Sequence, residues 1–167
     1  MSEPNLPNEL IYPVDLDNLH RGQLAELIFI RKAASLGFAV AKPWGEGERY
    51  DAIVRYHSML WRVQVKSVLP KERSRSSYRI RTAGGRGLRH TPYSVDEIDF
   101  LVAYIFAQDL WYVFPASVIE HRESIIVNPG CQRSKYEPYR EAWDLMKSPA
   151  TAATETESPA HAAVAGT

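Results

Sequence analysis

Apolar and polar residues alternate most regularly between Glu48 and Leu69, ERYDAIVRYHSMLWRVQVKSVL. A period of two predicts extended strands, whose successive side chains face opposite sides. From Tyr50 to Tyr56, Asp51, Ile53 and Arg55 share one face, and Ala52, Val54 and Tyr56 the other. From Leu60 to Val68, Trp61, Val63 and Val65 oppose Arg62, Gln64 and Lys66. A tight turn at His57 and Ser58 joins the two into a hairpin and sets Asp51 opposite Gln64, on the same face. A slip of one residue would separate them, and the match of Ala52 and Val54 to Trp61 and Val63 is what holds the register.

A helical period precedes the hairpin. Leu24, Leu27, Ile28, Ala34 and Leu36 predict a helix from about Leu19 to Leu36, with Asp17 or Asn18 as N-cap and Gly37 as its stop. Its acid, Glu26, has Gly22, Gln23, Phe29 and Ile30 three and four residues away, none of them a cation. Buried against a sheet, that carboxylate needs a cation or metal to compensate it. Phe38 to Lys42 reads as a short strand and Ser77 to Thr82 as another, followed by a Gly/Arg loop from Gly84 to Arg89. Ser94 caps a turn over Val95 to Ile98. Phe100 to Phe106, FLVAYIF, is apolar throughout and predicts a strand covered on both faces. Gln108-Asp109 turns the chain into a strand at Leu110 to Phe114, and a helical turn begins after Pro115. Ile125 to Val127 is a further short strand. Lys135 to Lys147 reads as an amphipathic closing helix with Tyr139, Ala142, Trp143 and Met146 on its apolar face.

The organisation expected is an irregular lead-in over 1–17, one domain over 18–147 and a disordered tail over 148–167, rich in Ala, Thr, Ser and Pro. At 167 residues and 45% hydrophobic, the chain can bury one full core. Its single cysteine, Cys131, precludes an intrachain disulfide. With no export signal or membrane-length apolar run, a cytoplasmic location is expected.

Charge changes the picture more than composition does. The formal net charge is zero, yet ten Lys/Arg and one acid, Glu72, lie between Arg55 and Arg89. A neutral protein with a concentrated basic band predicts a face for a polyanion. The arginines expected to meet phosphates are Arg73, Arg75, Arg79, Arg81, Arg86 and Arg89, with Tyr78 and His90 as candidates for stacking or packing.

Several chemistries drop out. The five histidines are scattered, with no HExxH or paired-cysteine spacing for zinc. There is no GxSxG. GGRG lacks the Gly-Lys-Ser/Thr of a phosphate-binding loop. Ser67 and Lys66, adjacent on a strand, face opposite sides.

Glu26, Asp51, Gln64 and Lys66 remain. A glutamate on the first helix, an aspartate on a strand and Gln-x-Lys on the next, thirteen and fifteen residues after Asp51, resemble the PD-(D/E)xK nuclease superfamily. The likeness is closest to the group I intron-associated homing type with its QxK motif. It extends through IDFLVAYIF, WYVFPAS and KYEPYREAWDL, from about Leu19 to Lys147. The resemblance implies an α/β fold with a restriction-endonuclease-like core, a mixed central β-sheet flanked by helices. It also implies Mg²⁺ held by Asp51, Glu26 and Gln64, and Lys66 orienting the attacking water. That set suits phosphodiester hydrolysis, which needs an anionic pocket for a hard cation and a positive group near the phosphate. The sequence departs from the family pattern at Tyr50, in place of proline, and at Gln64, in place of the second acid, so Glu26 has to supply the missing charge. The partner expected is DNA, with the chain a homo-oligomer (dimer or tetramer) where both strands are cut. A junction-resolving nuclease and a non-catalytic DNA-binding module are the alternatives on the same fold.

Overall fold

In the computed structural model, residues 16–45, 47–69, 77–85 and 90–148 are described. The first element is helix α1 (Asn18–Ser35). Asp17 caps it, its side chain accepting from the His20 N–H at 2.9 Å. Gly37, at φ 88°, takes the left-handed turn after the helix. The side that α1 buries is narrower than the leucine pattern predicts. Ala25, Phe29 and Ala33 are buried, whereas Leu27 is 64% exposed. Two alanines at a spacing of four on either side of Phe29 let the helix backbone come close to the sheet. Leu24 and Ile28 only flank that contact.

Strands β1 (Ala39–Ala41), β2 (Ala52–Tyr56) and β3 (Met59–Val68) follow as an antiparallel meander. The two-residue connection at His57 and Ser58 gives the expected register, with Ala52 paired to Val63 and Val54 to Trp61. His57 takes φ 52° to close the turn. Next come β4 (Tyr78–Arg81), β5 (Ala83–Gly84) and β6 (Thr91–Pro92), then β7 (Phe100–Ile105) and β8 (Leu110–Pro115). The chain continues through a short helix α2 (Ala116–Ile119) and β9 (Ser124–Val127).

The central sheet has the order β1-β2-β3-β7-β8, and β3 and β7 run parallel within it. Parallel pairing buries both faces, and every residue of β7 is buried accordingly. Asp99 pins the start of that pair. Its carboxylate accepts from the Arg62 backbone N–H at 2.7 Å and from the guanidinium at 3.0 Å, while its own N–H donates to the Arg62 carbonyl at 2.9 Å.

Two apolar cores lie on opposite faces. One holds Phe29, Val54, Val63, Val102, Trp111 and Trp143 beneath α1. The other holds Tyr78, Ile80, Ile98, Leu101, Phe114 and Ile125 beneath the antiparallel β4–β9 ribbon and α2. The second face is therefore covered chiefly by strands.

The closing segment departs from expectation. Instead of an α-helix over 135–147, two 3₁₀ turns form, Glu137–Tyr139 and Trp143–Met146. Pro138 interrupts helical hydrogen bonding, and Glu141 has φ 49°. The reason is tertiary: Glu141 accepts from the Trp111 N–H at 2.8 Å and the Trp143 indole N–H at 2.7 Å, and its own N–H donates to the Trp111 carbonyl at 2.9 Å. Trp143 and Met146 still enter the core as the pattern requires. Among the described residues no helix is long and apolar enough to cross a membrane.

Candidate active site

The hairpin register carries Asp51 to the mouth of β2, where its N–H donates to the Val63 carbonyl at 2.9 Å. One carboxylate oxygen, Oδ2, accepts from the Val65 N–H at 2.8 Å and from the side-chain amide of Gln64. That amide also donates to the Val65 carbonyl at 3.1 Å. Gln64 is 7% exposed, one of only two buried polar residues among those described. A buried amide is retained where its hydrogen bonds are made, and both bonds here point at oxygens of the same small site. The Gln64 nitrogen thus sits between Asp51 Oδ2 and the Val65 carbonyl, in contact with two hard oxygen donors.

Glu26 reaches the site from α1. The cation that its own helix does not supply comes from Lys42, just beyond β1, whose ammonium pairs with the Glu26 carboxylate. Burial pushes Asp51 up to about 6, the Val65 N–H opposes that rise, and the charge of Glu26 adds to it. Lys66 and Lys42 pull the other way. Burial lowers Lys66, and Arg49 and Arg81 lower it further against the raising effect of Asp51 and Glu26. The four candidates therefore share one electrostatic environment with two carboxylates and several cations.

Neighbours that no sequence period indicates complete the cluster. Lys66 Nζ donates to the Tyr93 hydroxyl at 2.9 Å and lies 5.0 Å from the ring centroid. Arg49 stands 4.5 Å from the centroid of the same ring. Its guanidinium is held by Glu97 at 3.1 Å and by the Thr91 carbonyl at 3.1 Å. Burial raises the Tyr93 hydroxyl to about 12, which keeps it protonated at neutral pH. Arg49 is visible beforehand only as a cation two residues from Asp51. Tyr93 lies 27 residues beyond Lys66 and is brought back by the β5–β6 hairpin.

Of the arginines expected to meet phosphate, Arg79 and Arg81 project from the exposed side of β4, alternating with buried Tyr78 and Ile80. Tyr78 is 2% exposed, so it packs in the core and is not available to stack on a base. His90 is exposed. Arg73, Arg75, Arg86 and Arg89, and the tail beyond Ser148, lie outside the described residues.

Among the described residues no group of three or more His, Cys, Asp or Glu is placed to hold a metal ion. Asp51 and Glu26 offer two carboxylates, and Gln64 and the Val65 carbonyl offer neutral oxygens. This donor set suits a hard, oxygen-seeking cation rather than a soft one. A cleft of about 790 Å³ lined by Trp61, Asp99, Phe100, Pro115 and Leu145 shares no lining residue with the Asp51 cluster. Its walls also include Ser117, Asp144 and Ser148 but no lysine or arginine.

The family model described as PD-(D/E)XK endonuclease matches residues 16–146, spanning α1, the hairpin and the closing turns. The chain belongs to the PD-(D/E)XK endonuclease family. Among solved structures, the bacterial homing endonuclease I-Ssp6803I is similar with a TM-score of 0.70 and 29% identity, over 79% of this chain and 94% of that one. MepB gives a TM-score of 0.34 with 12% identity over 64% of this chain and 83% of that one, too slight a likeness to bear on the fold. No curated protein matches the sequence. Family membership and the likeness to I-Ssp6803I support nuclease activity, on the restriction-endonuclease-like α/β core expected from the sequence.

Proposed function

We propose that this endonuclease is a Mg²⁺-dependent enzyme of the homing type that cuts DNA, with Asp51, Glu26, Gln64 and Lys66 as its catalytic set. The observation that carries the reading is the convergence of Asp51, the Gln64 amide and the Val65 carbonyl, with the charge of Glu26 felt at Asp51. Asp51, Glu26 and Gln64 would hold the ion, Gln64 through its amide oxygen once the amide turns, and the Val65 carbonyl is a further oxygen at the same place. When bound, Mg²⁺ supplies charge stabilisation to the phosphate and favours ionisation of a bound water.

The protein's own groups do the rest. Lys66 places a positive charge beside the carboxylates, where it orients the water attacking phosphorus and balances charge on the pentacoordinate transition state. Hydrolysis forms one P–O bond to that water and breaks one P–O bond to the leaving sugar oxygen. Arg79, Arg81 and Arg49 supply cations toward the DNA backbone, which fix register without reading sequence. The domain over 18–147 would act in a symmetric homo-oligomer, since two strands require two such sites.

Plasmid cleavage with Mg²⁺ tests the reading. Asp51→Ala and Lys66→Ala are expected to lower the rate by two orders of magnitude or more, and chelation to abolish it. Cleavage that survives both substitutions would overturn the assignment. Salt-dependent DNA binding without cutting would favour a non-catalytic module, and preference for branched DNA a junction-resolving enzyme.

A further inference from the structure

We infer that Tyr93 is a positioning residue for Lys66, holding the ammonium at its working distance from Asp51 through the phenol oxygen and the ring face. The inference rests on the reading of Lys66 as the group that orients the attacking water. A lysine ammonium at the end of a four-carbon stem does not define its own position, and each hydrogen bond it makes restricts it. Here the Tyr93 oxygen accepts from Nζ at 2.9 Å, and the aromatic face lies 5.0 Å from the same charge. Without that hold, the strongest attraction on the ammonium would be the Asp51 carboxylate, and an ion pair there would occupy the oxygens that the reaction needs.

Tyr93 is itself placed from three sides. Its N–H donates to the Thr82 carbonyl at 3.1 Å. Arg49 lies 4.5 Å from the ring centroid, held by Glu97 and Thr91. Gly84 passes so close that a Cβ there would lie 2.2 Å from the Tyr93 hydroxyl oxygen and 2.7 Å from the ring carbon bearing it. Glycine at 84 is thus the condition for the phenol to stand where it does, since a contact under 3 Å cannot be accommodated without movement. The β5–β6 hairpin, with Ala83 and Gly84 on one strand and Thr91 and Pro92 on the other, delivers Tyr93 to Lys66. Two cations near one ring is an arrangement that costs repulsion, and a core residue of purely structural purpose would be served as well by phenylalanine.

Steady-state cleavage of plasmid DNA, with thermal melting alongside, tests the inference. Tyr93→Phe keeps the ring and removes the oxygen. It is expected to lower kcat about tenfold or more, with KM for DNA and the melting temperature essentially unchanged. Parental kcat, or a loss confined to KM, overturns the inference. Should Tyr93→Phe also melt lower, Gly84→Ala decides. It is expected to lower kcat in the parent but not in a Tyr93→Ala background, where the clash has gone, and equal losses in both backgrounds overturn the inference. Lys66→Ala is the control: if it cleaves like the parent, the functional reading of Lys66 fails. If it is inactive while Tyr93→Phe is fully active, only the role of Tyr93 fails.

Discussion

At the scale of single residues, Asp51 shows what the site costs the fold. Burial and the neighbouring Glu26 raise its carboxyl from 3.8 to about 6. Between those two values the folded chain keeps a proton that the unfolded chain has released, so stability falls as pH rises through this window. The whole cost is present above about pH 6 and absent below about pH 4. Asp51→Asn removes the charge and keeps an oxygen to accept from the Val65 N–H. In metal-free protein the substitution is expected to be stabilising at pH 8, by on the order of 1 kcal/mol after allowance for partial exposure, and neutral at pH 4. Calorimetric melts at the two pH values check this, and a variant no more stable than the parent at pH 8 would show that the buried charge carries no such cost. Residue-scale detail was the least legible in the sequence. Lys42 lies 16 residues from Glu26 and Glu97 lies 48 from Arg49, and no local period encodes contacts that folding alone brings together.

Among elements, the β2–β3 hairpin was readable because its two-residue connection and its apolar side agree on one register. That agreement set Asp51 beside Gln64 without any knowledge of the rest of the chain. Helix α1 was readable in extent but not in orientation. Leucines draw the eye in a pattern, whereas the buried positions are Ala25, Phe29 and Ala33, where small residues permit close approach. Phe29 packs 6.1 Å from Trp111 and 6.3 Å from Trp143, centroid to centroid, one turn beyond Glu26. Phe29→Ala is expected to cost about 3–5 kcal/mol and to lower cleavage by loosening the helix that presents Glu26, whereas Leu27→Ala should change stability by less than about 0.5 kcal/mol. Urea unfolding of both variants measures the contrast, and similar losses would mean that the leucine side is the one that docks. The closing segment misled for a related reason: its apolar spacing suits a helix, yet hydrogen bonds between Glu141 and Trp111 impose a different path. Tertiary demand overrides local pattern at this point.

For the molecule as a whole, charge segregation was legible from the sequence, and its placement required the fold. Arg79 and Arg81 sit on a strand whose buried side anchors the second core, so their charges are carried by rigid backbone. Arg81 also influences Lys66 electrostatically, which ties that part of the basic surface to the site. Arg81→Ala is expected to weaken DNA binding at low salt and to reduce the slope of log affinity against log salt by about 1, without altering the melting temperature. Fluorescence anisotropy across a salt series reads this, and an unchanged slope would remove Arg81 from the DNA-facing surface.

The two edges of the central sheet have a consequence for assembly. β1 offers only three residues and ends at Lys42 and Pro43. Along β8, Tyr112 bridges to Arg140, and Trp111 exchanges hydrogen bonds with Glu141. One border is thus short for templating a new strand, and the other is met at Trp111 and Tyr112 by the chain's own closing segment. If copies of this chain pair on DNA, extension of the central sheet at β1 is therefore disfavoured, and such a pair would separate without breaking a ladder along that edge.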